Sequence, residues 1–454
     1  MVSAMRPKSC TQKWLTNWRG PCWSFSPTLG SSRHWRRSDT VFVERLFPPW
    51  VTLWAFIGQV LDPDHSCNRA LATIQSHRAG LGLPPLSCDT GAYCKARLRL
   101  PEALLSGLCQ RVGERLAGSA TPGQLWLGRR VKVVDGSSAS MPDTLANQAA
   151  YPQPESQAPG CGFPLLAFVA VFCLATGAML RLALGPWWLH DLSLFYFVRE
   201  ALTLGDIFLA DRGFCSYAEM ALLQLRGVDS VLRIHQARKT DFRRGRVIGL
   251  GDHIVTWHKP EKRSGGLRQE DYDRLPTTLT VRELRYRVQT PGFRTREVTL
   301  ATTLLEAETY PAEALAELYF LRWDVEVDFR HIKITLQMDV LRGLGPAMVR
   351  KELYAHMLAY NLIRSEMWKA ARGESQRAHQ LSFKGAVQYL RPTRSCGSTH
   401  TSTAQCARSL LRLVAQQIVP SRPDRVEPRV RKRRPKSYPL MTKPRAQLKA
   451  ALGA

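Results

Sequence analysis

Short strand patterns alternate with helical patterns between residues 124 and 235, and this alternation most constrains the fold. The segments VKVVD (131–135) and DIFLAD (206–211) are typical of buried strands, and each ends on an aspartate. Helical patterns follow in DLSLFYFVREALTL and SYAEMALLQLRG. Strands and helices that alternate in this way predict a mixed α/β sheet, with both aspartates exposed at strand ends.

The uncharged run at residues 162–180 is open to two interpretations. Its length is close to the length that a membrane helix needs. Its β-branched and aromatic residues, its turn-like Thr176-Gly177 and the nearby Arg181 instead favour two buried strands joined as a hairpin. We predict the hairpin, and we expect no membrane partner.

The charge balance favours a polyanionic partner. Lys and Arg number 64 against 37 Asp and Glu, which gives a net charge of +27. Such an excess binds nucleic acid without regard to sequence, because neutralised phosphates release counterions. A ribosome-associated protein or a solubilising surface would show the same balance. The 11 cysteines include no CxxC pair, and we interpret them as reduced thiols of a cytoplasmic protein.

A basic and aromatic stretch lies in the helical region that precedes the sheet. It contains Tyr93, Lys95, Arg97 and Arg99. This composition suits a small helical DNA-binding module, in the manner of a helix-turn-helix. An ordinary helix with a solvated basic face fits the same residues, and the sequence alone leaves both interpretations open.

The two strand-end aspartates are candidate metal ligands. Phosphodiester chemistry commonly uses two divalent ions that span the scissile phosphate, and hard Mg²⁺ prefers carboxylate oxygens. Asp135 precedes Gly136, where we predict a sharp turn, and Asp211 ends its own strand. A single strand-end aspartate often only forms a turn, but two on successive strands favour a site. Asp143, in a predicted loop, is the alternative to Asp135.

A third carboxylate follows from helix geometry. We expect one long helix from Pro311, and at about 100° per residue Arg322, Glu326 and Lys333 all fall within about 60° of Tyr319. A stripe of one acid, two bases and a phenol suits a metal-binding glutamate flanked by groups that hold phosphate. An intrahelical ladder of ion pairs is the competing interpretation.

The other acids of this helix point away from the stripe. Asp324 and Asp328 fall on the opposite side of the helical wheel from Tyr319. We interpret them as solvated or structural. Glu326 is therefore the predicted third ligand.

Three motifs together resemble the bacterial insertion-sequence transposases of the IS-four family. Tyr319, Arg322, Glu326 and Lys333 match the Y-(2)-R-(3)-E-(6)-K signature of that family. The first aspartate is followed by Gly-Ser, and the second opens Asp-Arg-Gly-Phe, in the family's order. The resemblance covers roughly residues 120–370.

The resemblance implies a fold and a reaction. The fold is a ribonuclease H-like α/β mixed-sheet core with a β-rich insertion between the second Asp and the Glu, plus an N-terminal helical domain. The implied reaction is that of a DDE transposase, which binds terminal inverted repeats, cleaves DNA and transfers strands into target DNA. Asp135, Asp211 and Glu326 would be catalytic and would bind two Mg²⁺ ions, which Mn²⁺ could replace.

The resemblance also implies residues that contact double-stranded DNA. Arg322 and Lys333 would hold the phosphates of the transposon end, Tyr319 would help to position them, and Arg212 would contact DNA from the second motif. Trp257 is the positional candidate for a family tryptophan that stacks on a flipped base. A strand tryptophan packed in a core fits Trp257 equally well.

These expectations divide the chain into segments: a basic arm, disordered or spurious (1–40), a helical DNA-binding domain (41–120), the catalytic core (121–235 and 305–370), the β-rich insertion (236–304), and a C-terminal helical segment with a basic tail (371–454). We expect a nucleoid-associated protein of the bacterial cytoplasm that is a dimer on DNA. The alternatives are a metal-dependent nuclease or resolvase on the same fold, and a non-catalytic DNA-binding protein derived from a transposase.

Overall fold

A computed structural model describes residues 46–80, 82–288, 297–374, 376, 378–391, 403–420 and 438–452. The predicted basic arm lies outside these residues, as does the 421–437 part of the predicted basic tail. The chain divides into two compact units, Met1–Leu105 with Ser365–Val419 and Ser106–Arg364 with Pro420–Ala454.

The helices of the described residues are, in chain order, α1 Pro49–Leu61, α2 Cys67–Gly80, α3 Gly91–Arg99, α4 Glu102–Ala117, α5 Leu145–Ala150, α6 Asp191–Phe195, α7 Tyr217–Gln224, α8 Gln269–Asp273, α9 Ala312–Leu321, α10 Trp323–Arg330, α11 Pro346–Gly373, α12 Phe383–Leu390, α13 Thr403–Ala415 and α14 Arg445–Ala451. The strands are β1 Val131–Ser140, β2 Leu165–Cys173, β3 Met179–Pro186, β4 Ile207–Ala210, β5 Asp229–Arg233, β6 Arg246–Gly249, β7 Asp252–His258, β8 Thr278–Arg287 and β9 Glu297–Thr302.

The core of the first unit joins α1, α2 and α3. Proline at the start of α1 is tolerated because the first amides of a helix have no intrahelical acceptor. Val51, Ile74 and Tyr93 are each at most 2% exposed and belong to the same apolar cluster. The Tyr93 hydroxyl donates to Gln59 Oε1 at 2.8 Å, which satisfies a polar group inside this core.

The second unit is built on one nine-stranded sheet, in the order β3-β2-β1-β4-β5-β9-β8-β7-β6. Strands β1, β2 and β3 are antiparallel, whereas β4 and β5 run parallel to β1. This mixed sheet, with helices packed on it, confirms the predicted mixed α/β core. The strands that follow β5 extend the same sheet and form the predicted β-rich insertion.

The uncharged run at 162–180 forms strands. It supplies β2 and the start of β3, whose turn contains Thr176 and Gly177. Eight of the nine residues of β2 are buried, which explains why the sequence reads as continuously apolar. The hairpin prediction is confirmed. Within the described ranges, no helix is long and apolar enough to cross a membrane.

Two predicted boundaries differ from the structure. β1 does not turn at Gly136 but continues to Ser140, because its pairing with β2 persists after its pairing with β4 has ended. The predicted long helix after Pro311 is divided into α9 and α10 at Arg322, and a π-helical turn, His331–Thr335, follows α10. π turns inside helices often occur at functional sites.

Candidate active site

Asp135 and Asp211 are neighbours on two adjacent parallel strands. The pairing of β1 with β4 ends at Val134 and Ala210, so each aspartate is the first residue beyond that pairing. Asp135 Oδ1 accepts from the Gly136 amide at 2.9 Å, and Asp211 Oδ1 accepts from the Gly213 amide at 2.8 Å. The register therefore brings both predicted strand-end carboxylates to one edge of the parallel pairing.

Glu326 is linked to Asp135 through one guanidinium group. Arg322 donates from NH2 to Glu326 Oε1 at 3.0 Å, and its NH1 lies 3.9 Å from Asp135 Oδ2. The Arg322 side chain is only 9% exposed, whereas the Glu326 side chain is 41% exposed. The structure thus brings Glu326 and Asp135 to the same cation, as an active site built from α10 and β1 requires.

The electrostatics of Asp135 show that the three carboxylates act on one another. The pKa of Asp135 is raised to about 7, chiefly by burial, and the charges of Asp211 and Glu326 act in the same direction. The Arg322 charge and the Gly136 amide oppose this rise. Gathered carboxylates need compensating positive charge, which Arg322 supplies in part.

Tyr319 and Lys333 complete the predicted stripe. Tyr319 is buried, and its ring lies 5.7 Å from the Arg322 guanidinium carbon. Lys333 lies in the π turn, and its Nζ donates to Ser137 Oγ of β1 at 3.2 Å. Burial lowers the pKa of Lys333. The sequence motif contained Ser137 but gave no reason to assign it a contact.

The opposite side of α10 is structural, as the helix geometry predicts. Asp328 is buried and forms an ion pair with Arg364. Phe329 packs edge-on against Phe168 and Phe172 of β2, which holds α10 on the sheet. The core therefore occupies the face of α10 that carries Asp328 and Phe329, and Glu326 lies outside that face.

Asp143, the alternative to Asp135, lies in the loop between β1 and α5. It is exposed, and its Oδ1 accepts from Gln148 Nε2 at 2.7 Å. That contact is local and joins Asp143 to α5. The pairing register and the Arg322 contact favour Asp135 as the carboxylate of the site.

Trp257 lies in β7 with its indole enclosed. It is 4% exposed, its Nε1 donates to Glu283 Oε1 at 2.8 Å, and the Arg238 guanidinium carbon lies 3.7 Å from its ring centroid. Glu283 also contacts His253 Nε2 at 2.9 Å. These contacts are those of a tryptophan packed in the core of the sheet. Stacking of Trp257 on a base would require the Arg238 guanidinium to move away from the indole ring.

The remaining predicted DNA contacts differ in exposure. Arg212 is exposed, and its NH1 donates to Gln236 Oε1 at 3.0 Å. Lys95 is exposed on α3. Arg97 donates to Gln59 and to Cys67 Sγ within the first unit, so its charge is engaged in holding the three helices together.

A fourth carboxylate, which the sequence reasoning missed, lies beside the site. Asp191 begins α6, and its carboxylate lies against the Gly136 backbone. The charge of Asp211 adds to the effect of burial in raising the pKa of Asp191. The only feature of the sequence that could have drawn attention to Asp191 was its place at the start of the helix that follows the β2–β3 hairpin.

The donor chemistry of the site fits a hard divalent cation. Asp135, Asp211 and Glu326 offer carboxylate oxygens from three elements, the donors that Mg²⁺ and Mn²⁺ prefer. Among the described residues, no three Asp, Glu, His or Cys side chains are already gathered closely enough to hold an ion. The Arg322 guanidinium, which contacts two of these carboxylates, is the cation between them in this structure.

Comparisons with known proteins identify the same region. The model of the transposase DDE domain matches residues 126–362. The chain is 27% identical over 425 residues to the transposase InsG for insertion sequence element IS4 of Escherichia coli K12, with 91% of each chain covered. It is 35% identical over 93 residues to a probable transposase for IS5377 of Geobacillus stearothermophilus, which covers 20% of this chain and 23% of that relative.

A solved structure of piggyBac transposase, in a synaptic complex with hairpin DNA, aligns with a TM-score of 0.44 and 11% identity, over 86% of this chain and 82% of that one. The DDE domain model spans more than half of this chain and all three predicted catalytic carboxylates. The chain therefore belongs to the transposase DDE domain family, and the resemblance drawn from its motifs is confirmed.

Proposed function

We propose that this transposase binds the terminal inverted repeats of its element, cleaves the DNA there and transfers the strands into target DNA. One observation carries the proposal. Asp135 and Asp211 take adjacent positions on parallel strands, and Arg322 joins Asp135 to Glu326. No structural role in a sheet edge requires three carboxylates within electrostatic reach of one another.

Asp135, Asp211 and Glu326 would hold the divalent ions, Mg²⁺ or Mn²⁺, that the reaction needs. Two such ions, when bound, activate the attacking oxygen and stabilise the leaving oxygen at the scissile phosphate. The raised pKa of Asp135 is a property of the metal-free site, because a bound cation would favour its charged form.

The cationic residues of the stripe would position the DNA phosphates. Arg322 is nine-tenths buried, and its Nε has no hydrogen-bond partner among the described residues. A buried guanidinium donor without an acceptor is costly, and a phosphate oxygen would satisfy it. Lys333, held at Ser137, would add a second phosphate contact, and buried Tyr319 would orient Arg322 through its ring.

Other surfaces would extend the contact with double-stranded DNA. The net charge of +27 supports broad phosphate binding, and the exposed Lys95 and Arg212 are suited to it. Trp257 would stack on an extruded base only after Arg238 moves from its ring. Pairing of two transposon ends requires at least a dimer on DNA, and we place this activity at the nucleoid, in the bacterial cytoplasm.

The test is an end-cleavage and strand-transfer assay. Purified full-length protein is mixed with Mg²⁺, duplexes that carry the terminal repeats of the flanking element, and a target plasmid. We expect Asp135→Asn, Asp211→Asn and Glu326→Gln to bind the ends but to lose cleavage on the order of 10³-fold or more. Asp143→Asn, which removes the charge of an exposed aspartate bonded to Gln148 of α5, serves as the matched control.

The assay separates the proposed function from its alternatives. Nicking or cutting of the ends without joined products would identify a nuclease. Binding without any cleavage by the wild-type protein would identify a non-catalytic DNA-binding protein. Full activity in the carboxamide variants would contradict the assignment of the three carboxylates.

A further inference from the structure

Two thiols from different helices meet in the first unit. Cys67 begins α2, Cys94 lies in α3, and their Sγ atoms are 3.6 Å apart. Sulfur atoms at this distance are in van der Waals contact, whereas a disulfide bond brings them to about 2.05 Å. The remaining approach of roughly 1.5 Å is shared by two side chains, each of which rotates about its Cα–Cβ bond.

The packing of α2 against α3 sets this contact. The Ser66 hydroxyl accepts from the Arg69 amide at 3.0 Å and so caps the start of α2, where Cys67 lies. Tyr93, the neighbour of Cys94, is fully buried in the apolar cluster that also contains Ile74 of α2. Both thiols are therefore carried by helices that the core holds side by side.

One guanidinium group lies against both sulfur atoms. Arg97 NH2 is 3.0 Å from Cys67 Sγ and 3.7 Å from Cys94 Sγ. Two aromatic rings hold this cation, because its guanidinium carbon lies 5.2 Å from the Phe56 ring centroid and 5.1 Å from that of Tyr93. A neighbouring cation favours the thiolate, which is the form of cysteine that reacts with oxidants.

The two thiols are also more accessible than the cysteines of the apolar interior. Cys67 and Cys94 are half-buried, whereas Cys109 and Cys173 are buried. Buried thiols in apolar surroundings are inert. Cys88, in the loop between α2 and α3, is exposed and offers a comparison within the same unit. Contact, access and a neighbouring cation thus coincide at Cys67 and Cys94.

We propose that Cys67 and Cys94 form a redox modification site, in which an oxidant of the peroxide class joins them in a reversible disulfide bond. The inference goes beyond the proposed function and uses none of the residues of the catalytic site. Disulfide bonds of proteins in reducing compartments are usually transient and often redox-sensing. This one would tie α2 to α3, the helix that carries the exposed Lys95.

One molecule of peroxide is consumed for each disulfide bond. The Cys67 thiolate attacks one oxygen of hydrogen peroxide, so that an S–O bond forms, the O–O bond breaks, and the leaving hydroxide takes up a proton to become water. The Cys94 thiolate then attacks the sulfur of the resulting sulfenic acid. The S–S bond forms, the S–O bond breaks, and a second hydroxide leaves and is protonated to water. The two sulfur atoms together lose the two electrons that the peroxide gains.

Peptide mapping tests the proposed bond. Reduced full-length protein is treated with hydrogen peroxide, the remaining thiols are alkylated, and linked peptides are identified by mass spectrometry after digestion. We expect peptides joined through Cys67 and Cys94 that separate again after treatment with dithiothreitol. Cys67→Ser and Cys94→Ser should each abolish this link. Cys88→Ser, which removes the exposed thiol of the same unit, is the matched control and should leave the link unchanged.

Thermal unfolding gives a second measurement on the same samples. A bond between α2 and α3 constrains the unfolded chain, so peroxide should raise the unfolding temperature of the first unit by roughly 5 °C or more. The rise should occur in the wild type and in Cys88→Ser but not in Cys67→Ser. Circular dichroism before oxidation establishes that each variant is folded.

Two results would overturn the inference. The first is a wild-type peptide map in which Cys67 and Cys94 are oxidised separately to sulfinic acids, or are joined to Cys88 instead of to each other. The second is a rise in unfolding temperature in Cys67→Ser that equals the rise in the wild type.

Discussion

Arg322 balances the charges of the site before any metal ion enters. It contacts Asp135 and Glu326 with two of its nitrogens, while its third has no hydrogen-bond partner among the described residues. Entry of a divalent ion would remove the need for this counter-charge and free the guanidinium for a phosphate oxygen. Arg322 would thus bind the carboxylates in the metal-free site and a DNA phosphate after the metal ion has bound.

The pH dependence of stability in the metal-free protein should report on Asp135. Its pKa, about 7 in the folded protein, lies above its ordinary value of 3.8, so the folded state binds the proton more tightly than the unfolded state does. The free energy of unfolding should therefore fall as the pH rises from about 4 to 7. Asp135 contributes at most about 1.4 kcal/mol per pH unit to this fall.

Thermal melts across this pH range, in the presence of a chelator, measure that slope. Asp135→Asn should flatten it, and saturating Mg²⁺ should restore stability near pH 7 because the ion favours the charged carboxylate. A wild-type slope that Asp135→Asn leaves unchanged would contradict the assignment of the titration to Asp135.

Close approach between elements holds the sheet of the second unit to its helices. Asn361 of α11 accepts from the Met179 amide of β3 at 2.9 Å and donates to the Cys109 carbonyl of α4 at 3.1 Å. Gly113 of α4 lies so near β3 that an added Cβ would overlap the Met179 carbonyl oxygen. These three elements therefore meet at a point where no extra atom fits.

Two glycines of α4 provide a paired test of this packing. Ala is a better helix former than Gly by about 1 kcal/mol. Gly113→Ala should nevertheless reduce the free energy of unfolding by roughly 1 kcal/mol or more, because overpacking outweighs that gain. Gly107→Ala, where the nearest atom would be 3.9 Å away, should leave stability unchanged or raise it by up to about 1 kcal/mol. Chemical denaturation measures both, and equal effects would contradict the close contact at Gly113.

The elements that the sequence predicts well are those set by local periodicity. The β2–β3 hairpin, the strand before Asp211 and the opposite faces of α10 all follow from the spacing of apolar residues. The continuation of β1 past Asp135 does not, because it depends on β2, a partner that the local pattern does not contain. The π turn that carries Lys333 likewise departs from the constant step of an ideal helix.

The surroundings of some single residues could not be predicted either, because their contacts are distant in the sequence. The environment of Trp257 depends on Glu283 and Arg238, neither of which lies next to it in the sequence. Asp191 was missed because only the fold brings it to Gly136. The contact between Arg322 and Glu326, by contrast, follows from spacing alone, because both residues of the signature lie one helical turn apart in a single stretch of chain.

At the scale of the whole molecule, the excess of positive charge makes DNA binding sensitive to salt. Each neutralised phosphate contributes a slope of about −0.9 to the dependence of log affinity on log salt concentration. Lys333→Ala should weaken binding to the transposon end and reduce the magnitude of this slope by about one. Asp324→Ala, on the side of α10 away from the stripe, should leave the slope unchanged. Fluorescence anisotropy over a salt series measures both, and equal changes would contradict the distinction between the two faces.

The single continuous sheet has a consequence for shortened versions of the protein. β9 covers the side of β5 that faces away from β4, and β8, β7 and β6 follow in turn. If these four strands were excised and the chain rejoined after β5, that strand would become an outer edge with unpaired backbone amides and carbonyls. Such an edge recruits strands from other molecules. A minimal enzyme of this kind should self-associate, and sedimentation velocity would detect it, unless the new edge carried charged residues or a proline.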